Sequence, residues 1–240
     1  MKIIKKIIDG TIVKLGKYLS QATFYDHPTP NNVYKIIYER AQIRSADYIE
    51  SKLNNSYMFL TKEQLWDHSI NSMTVDGLIC EFGVLTGYSI NYFADKLPNN
   101  ATIFGFDSFF GINDNWYGVT PSGAMNLNGV MPRVRNNVTL IAGFFDKTLP
   151  QFFLQKHDSK ISLAHFDADT YGASRIALDS IKNLLVKGSI LIFDEYHGYP
   201  NWENGEFKAW KELVRDAGLE YEYLGFSLQQ SAVIITKVPN

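Results

Sequence analysis

At 240 residues, with 45% hydrophobic and 20% charged side chains, the chain has the make-up of an ordinary globular protein and is long enough to bury a large core. Lys+Arg 23 against Asp+Glu 25 leaves a net charge of −2, which removes the electrostatic basis for a nucleic-acid partner. A single cysteine, Cys80, excludes an internal disulfide, no apolar stretch is long enough for a membrane span, and the first ten residues are too charged for a signal peptide. A cytoplasmic location is therefore expected.

Residues 1–19 place Ile4, Ile8, Ile12, Leu15 and Leu19 on one helical face, with Lys2, Lys5, Lys6, Lys14 and Lys17 mostly elsewhere. Such a helix packs on its own domain or on a second copy of the chain. Gly10 and Gly16 count against the alternative, a free-standing basic helix on an anionic membrane. After Pro28 and Pro30, a helix is expected over 31–51, with Val33, Ile36, Ile37, Ala41 and Tyr48 spaced for burial. Another is expected over 62–73, opened by the capping box Thr61 and Gln64. Residues 1–74 are thus read as an N-terminal helical extension, serving as lid or dimer layer, and 75–240 as the domain that carries the chemistry.

From residue 77 strands and helices alternate. Apolar runs at 77–83, 102–107, 137–142, 160–167, 188–194, 220–226 and 230–237 predict a seven-stranded, mostly parallel, doubly wound α/β sheet. Only a short turn separates the last two runs, so the final strand returns antiparallel. That hairpin points to the methyltransferase variant of the Rossmann-like fold, and the lack of Gly-x-Gly-x-x-Gly speaks against a nicotinamide enzyme. The aperiodic stretch 111–136 is a candidate lid.

Ligands of open α/β sheets bind beyond the carboxyl ends of the strands. The first run ends in Glu81 and Gly83, and with Gly87 it forms a tight turn into a helix whose opening, at Tyr88 and Ser89, aims free N–H groups outward. Asp107, followed by Ser108, closes the second run, where one carboxylate can accept from both hydroxyls of a ribose. Asp167, Asp169, Asp194 and Glu195 end the fourth and fifth runs. Four like charges raise one another's pKa values unless a cation compensates, and oxygen-only donors favour Mg²⁺, Mn²⁺ or Ca²⁺. His165 and His197 stand nearby as possible bases or ligands.

The segments Cys80–Ser89, Gly143–Pro150, Asp167–Tyr171 and Asp194–Tyr196 together resemble the macrocin O-methyltransferase family, class I S-adenosylmethionine (SAM) enzymes that methylate sugar hydroxyls. The resemblance runs from about residue 75 to the C-terminus. It implies that the glycine turn carries the methionine part of SAM, that Asp107 takes the ribose, and that Gly143 and Phe144 lie near the adenine. It also implies Mg²⁺ held by Asp167, Asp194 and Glu195. For transfer to an alcohol, a nearby carboxylate, Asp167 or Asp169, is expected to take the acceptor's proton ahead of His197. The family's Asp-Asp-Tyr is Asp194-Glu195-Tyr196 here, its Gly-Trp-Phe is Gly143-Phe144-Phe145, and its Ser-Thr is Ala173-Ser174. The expected partner is a small molecule, a carbohydrate first, and the expected assembly a homodimer. A catechol-like diol acceptor, or a non-catalytic nucleotide-binding module, are the alternatives.

Overall fold

The computed structural model describes residues 32–98 and 100–239. The helix expected over 1–19 lies outside the described residues. Helix α1 (Val33–Glu50), strand β1 (Tyr57–Phe59) and helix α2 (Lys62–Asn71) come first. The capping box at the start of α2 is formed as expected: the Thr61 side chain accepts from the Gln64 N–H, and the Gln64 side chain accepts from the backbone of Thr61.

Alternation follows as β2 (Leu78–Phe82), α3 (Tyr88–Lys96), β3 (Ile103–Asp107), β4 (Val138–Ala142), α4 (Phe145–Leu154), β5 (Ile161–Phe166), α5 (Tyr171–Ile181) and β6 (Ile190–Phe193). Helix α6 (Glu206–Ala217) leads to the hairpin of β7 (Glu220–Ser227) and β8 (Gln230–Lys237). The strand order is β1-β7-β8-β6-β5-β2-β3-β4, parallel except where β8 meets β6 and β7. This is the class I methyltransferase topology expected from the final hairpin.

The described sheet has eight strands where the apolar runs predicted seven. The addition is β1, whose Tyr57, Met58 and Phe59 pair with Gly225, Phe226 and Ser227. Three residues are too few to show a period of two, so the strand is set by tertiary contact rather than by local pattern. Gly225 makes the contact possible, since a Cβ there would lie 2.6 Å from the Phe59 ring.

Each sheet face has its own core. One face packs Cys80, Phe82, Ala164 and Phe166 against Leu149, Phe153, Leu178, Ala209, Trp210 and Leu213 of α4, α5 and α6. The opposite face packs Ile79, Leu163 and Ile192 against Leu65, Trp66, Ile90 and Phe93 of α2 and α3. β2, β3, β5 and β6 each end on a Phe or on the residue just after one, and these rings form a row across the sheet. Phe106–Phe82, Phe82–Phe166 and Phe166–Phe193 have centroids 5.4, 5.0 and 5.0 Å apart. Each such pair contributes about 0.5–1.5 kcal/mol beyond its buried area. The row lies directly beneath the strand ends and gives them a stiff floor. Among the described residues, no helix is long and apolar enough to cross a membrane.

Candidate functional site

Ladder bonds that continue one residue past the strands bring four turns to one level. The N–H groups of Gly83, Asp167 and Asp194 donate to the carbonyls of Phe106, Phe82 and Phe166 at 2.9, 2.8 and 2.8 Å, and that of Gly143 donates to Asp107 at 2.9 Å. Gly83 adopts φ +94°, and a Cβ there would stand 1.7 Å from the Asp167 carbonyl oxygen. The glycine turn and the Asp167 turn can therefore lie side by side only with glycine at 83. Gly87, at φ +82°, caps α3.

Beyond these turns opens a cleft enclosing about 900 Å³ of space, its mouth included. Of the residues singled out in the sequence, Gly83, Asp107, Ser108, Phe144, Asp167, Asp169 and Glu195 line it. Gly111, Ile112, Asn113 and Met125, from the stretch read as a candidate lid, line one side, and Phe145 and Ile176 add apolar wall. Glu81, Gly87, Tyr88, Ser89, Gly143, Asp194 and His197 are not among the lining residues. Asp107 does more than face the cleft: its Oδ2 accepts from the N–H groups of Val84 and Leu85, both at 2.8 Å, and its Oδ1 from Phe109 at 2.7 Å. These bonds hold the glycine turn to the end of β3 and use both lone pairs of Oδ2, while Oδ1 keeps one.

Glu81 lies behind the turn, fully buried. Strand register sets it beside His165, so both side chains leave the same face. His165 Nδ1 is 3.0 Å from Glu81 Oε2, and the Ser89 hydroxyl donates to Glu81 Oε1 at 3.2 Å. On its far side, His165 Nε2 is 3.7 Å from Asp194, ion-pair range rather than a hydrogen bond. Burial favours the neutral imidazole, yet the carboxylates of Asp194 and Glu81 outweigh it and lift His165 to about 10. Burial opposes ionisation of Asp194 too, but its pairing with His165 holds it below the usual carboxylate value. The Gln230 side-chain amide also donates to Asp194.

Asp167, Asp194 and Glu195 offer one oxygen each within 4.8 Å of one another. Glu195 Oε2 is buried with no hydrogen-bond partner among the described residues. Burial, and then the charge of Asp194, push the carboxyls of Asp167 and Glu195 well above their ordinary values. A hard divalent cation relieves all of this at once, so the donor set fits such an ion. Asp169 sits in the left-handed region at φ 59°, a strained placement that turns its side chain into the cleft. Burial and then Asp194 push it up to about 7.

His197 is placed differently. Its Nε2 is 3.2 Å from the Gln230 carbonyl and its ring packs on Phe226, with centroids 6.0 Å apart. Burial lowers it to about 4, so it is neutral at ordinary pH. It is not among the residues that line the cleft.

Glu206 was missed in the sequence. It is wholly buried at the start of α6, where Oε1 accepts from the Ala168 N–H at 3.3 Å and Oε2 from the Glu195 N–H at 3.1 Å. One side chain thus joins the two acid-bearing turns. The signal was available: Glu206, Ala209, Trp210 and Leu213 follow helical spacing, so an acid occupies the buried stripe.

Residues 80–196 match the family model described as "Methyltransferase domain". Among curated proteins, none matches the sequence significantly. Among solved structures, the fold is similar to CalS11, a calicheamicin methyltransferase. There the TM-score is 0.57 and the identity 22%, over 89% of this chain and 89% of that one. It is also similar to the O-methyltransferase NovP, with a TM-score of 0.54 and 17% identity, over 73% of this chain and 80% of that one.

Proposed function

We propose that this chain is a SAM-dependent methyltransferase, a reading supported by the match of residues 80–196 to a methyltransferase family model and by the class I fold, and that it methylates a hydroxyl of a sugar or glycosylated small molecule, assisted by Mg²⁺ or another hard divalent cation. The observation that carries the reading is the convergence of Asp167, Asp194 and Glu195 within 4.8 Å beside the cleft floored by the glycine turn. The structural relative CalS11 is described as a TDP-rhamnose 3'-O-methyltransferase, which supports a sugar acceptor.

When bound, SAM supplies an electrophilic methyl group on a sulfonium. A divalent cation, when bound, lowers the pKa of a hydroxyl in contact with it. The remaining work falls to side chains of this chain. Asp107 uses the remaining lone pair of Oδ1 on a ribose hydroxyl, while Phe144 and Ile176 provide an apolar slot for the adenine ring. Asp167 and Asp169 give the sulfonium end a negative wall. Asp169, projecting into the cleft, takes the acceptor's proton on its carboxylate. Lid residues Gly111–Asn113 and Met125 shut water out and hold the acceptor close to attack geometry. In the same reading the chain works as a homodimer, which light scattering on a sizing column tests.

Titration calorimetry with S-adenosylhomocysteine, followed by a transfer assay on sugars and catechols side by side, tests the proposal. Binding together with metal-dependent methylation of a sugar is expected. Methylation confined to catechols, or full turnover after complete metal stripping, refutes it.

A further inference from the structure

Beneath the acid cluster, on the sheet face that packs α2 and α3, runs a row of buried polar side chains. Ser89, Glu81, His165 and Asp194 make up one end of it, and Gln230 and Trp66 the other. Gln230 is 2% exposed and Trp66 0% exposed, and neither lines the cleft. Both also lie outside residues 80–196, the stretch that matches the methyltransferase family model.

Strand register explains why Gln230 reaches Asp194. β6 and β8 run antiparallel with Phe193 opposite Ser231, so one step further on Asp194 stands opposite Gln230, and opposed residues project from the same face. The turn before β8 is fixed to the same segment, since the N–H groups of Tyr196 and His197 donate to the Gln229 carbonyl at 2.8 and 3.2 Å. The Gln230 amide nitrogen donates to Asp194 Oδ1, and its Oε1 accepts from the indole N–H of Trp66 at 2.8 Å. An indole only donates, so the amide oxygen faces Trp66 and the amide N–H groups face Asp194. Were the amide turned over, two donors would meet at Trp66 and two acceptors at Asp194. The bond from Trp66 thus selects the one orientation in which Gln230 can hold the carboxylate.

Asp194 Oδ1 is held from two sides. His165 Nε2 stands 3.7 Å from the same oxygen, and the Trp66 ring packs edge-on against His165 with centroids 5.6 Å apart. Two partners on one oxygen leave the carboxylate little freedom to rotate. A buried amide costs free energy unless both of its ends are bonded, so packing alone would favour an apolar side chain at 230.

We propose that Gln230 is a positioning residue for the cation-binding carboxylate of Asp194, and that Trp66, from α2, acts through it by fixing the direction of its amide. The proposal rests on the reading of Asp167, Asp194 and Glu195 as the divalent-cation site. Loss of a hydrogen-bond partner that orients a metal ligand costs about 10–100-fold in metal affinity.

The test is titration calorimetry with Mn²⁺ on the full chain saturated with S-adenosylhomocysteine, comparing Gln230→Met, Trp66→Phe and the double variant. Gln230→Met keeps the length of the side chain and removes the amide, and should weaken Mn²⁺ binding about tenfold. Trp66→Phe removes the indole N–H and lets part of the population turn the amide over, so about threefold is expected. In the double variant the change at Trp66 should add nothing to the loss from Gln230→Met, a result that independent packing roles would not give. Affinity for S-adenosylhomocysteine should stay within about twofold throughout, showing that the variants are folded. Should Gln230→Met fail to fold, Trp66→Phe against the wild type decides alone. Wild-type Mn²⁺ affinity in either single variant, or losses that multiply in the double variant, would overturn the proposal. A wild type that binds S-adenosylhomocysteine but no Mn²⁺ would instead bring down the cation reading, and one that binds neither would bring down the methyl-donor reading.

Discussion

Glu206→Ala is the sharpest probe of how the site is built. The change strips the partner from two buried N–H groups, those of Ala168 and Glu195. An unsatisfied buried donor costs about 1–3 kcal/mol, so the pair sums to about 2–6 kcal/mol. Against a typical total of about 5–15 kcal/mol, that is a large fraction. Glu206→Gln keeps the size and one acceptor oxygen, so it should lose one partner only, about 1–3 kcal/mol. Urea denaturation followed by tryptophan fluorescence measures both, and the order wild type, Gln, Ala is expected. The same variants should bind Mn²⁺ more weakly by calorimetry, since the turns carrying Asp167 and Glu195 are no longer joined. An Ala variant with the wild-type midpoint would show that Glu206 is not what ties the two turns together.

Other expectations follow from the same geometry. Asp167→Ala and Asp194→Ala should abolish turnover and Mn²⁺ binding while S-adenosylhomocysteine still binds; near-normal turnover in both would remove the metal from the reading. EDTA should inactivate the enzyme and added Mg²⁺ restore it. Gly83→Ala should cost about 1–3 kcal/mol or more from the left-handed backbone alone, and the clash with the Asp167 carbonyl adds to it, so the melting temperature should fall steeply. Phe166→Ala, which removes the middle of the ring row, should cost about 3–5 kcal/mol in urea. Cys80 is buried and its thiol is pushed far up by that burial, so Ellman's reagent should modify it only as fast as the protein unfolds.

The strands from β2 to β6 were legible because each is an apolar run that ends at or next to a Gly or Asp, and β7 and β8 because a short turn separates two apolar runs; the observed ends fall within two residues of the runs. The acids at positions 167, 194 and 195 were legible for a related reason: parallel strands end on one edge, so terminal residues far apart in sequence become neighbours. Strand β1 was not, because its three residues take their conformation from β7. Nor was the direction of Glu81. Ending a strand says that a residue is near the edge, but the pleat decides its face, and pairing with His165 turns Glu81 under the turn instead of into the cleft. His197 shows the same limit, since only the course of β8 reveals that the Gln230 carbonyl occupies its ring nitrogen.

Strand β1 also bears on self-association. Without it, β7 would offer eight residues of unpaired backbone along the outer edge of the hairpin, a template for another chain to join. The three-residue strand shields the stretch Gly225–Ser227 and is itself too short to recruit a neighbour in register. Shortened versions of the chain that begin after Phe59 would lose this guard and tend toward intermolecular sheet growth, so residues upstream of the methyltransferase domain contribute to keeping it dispersed.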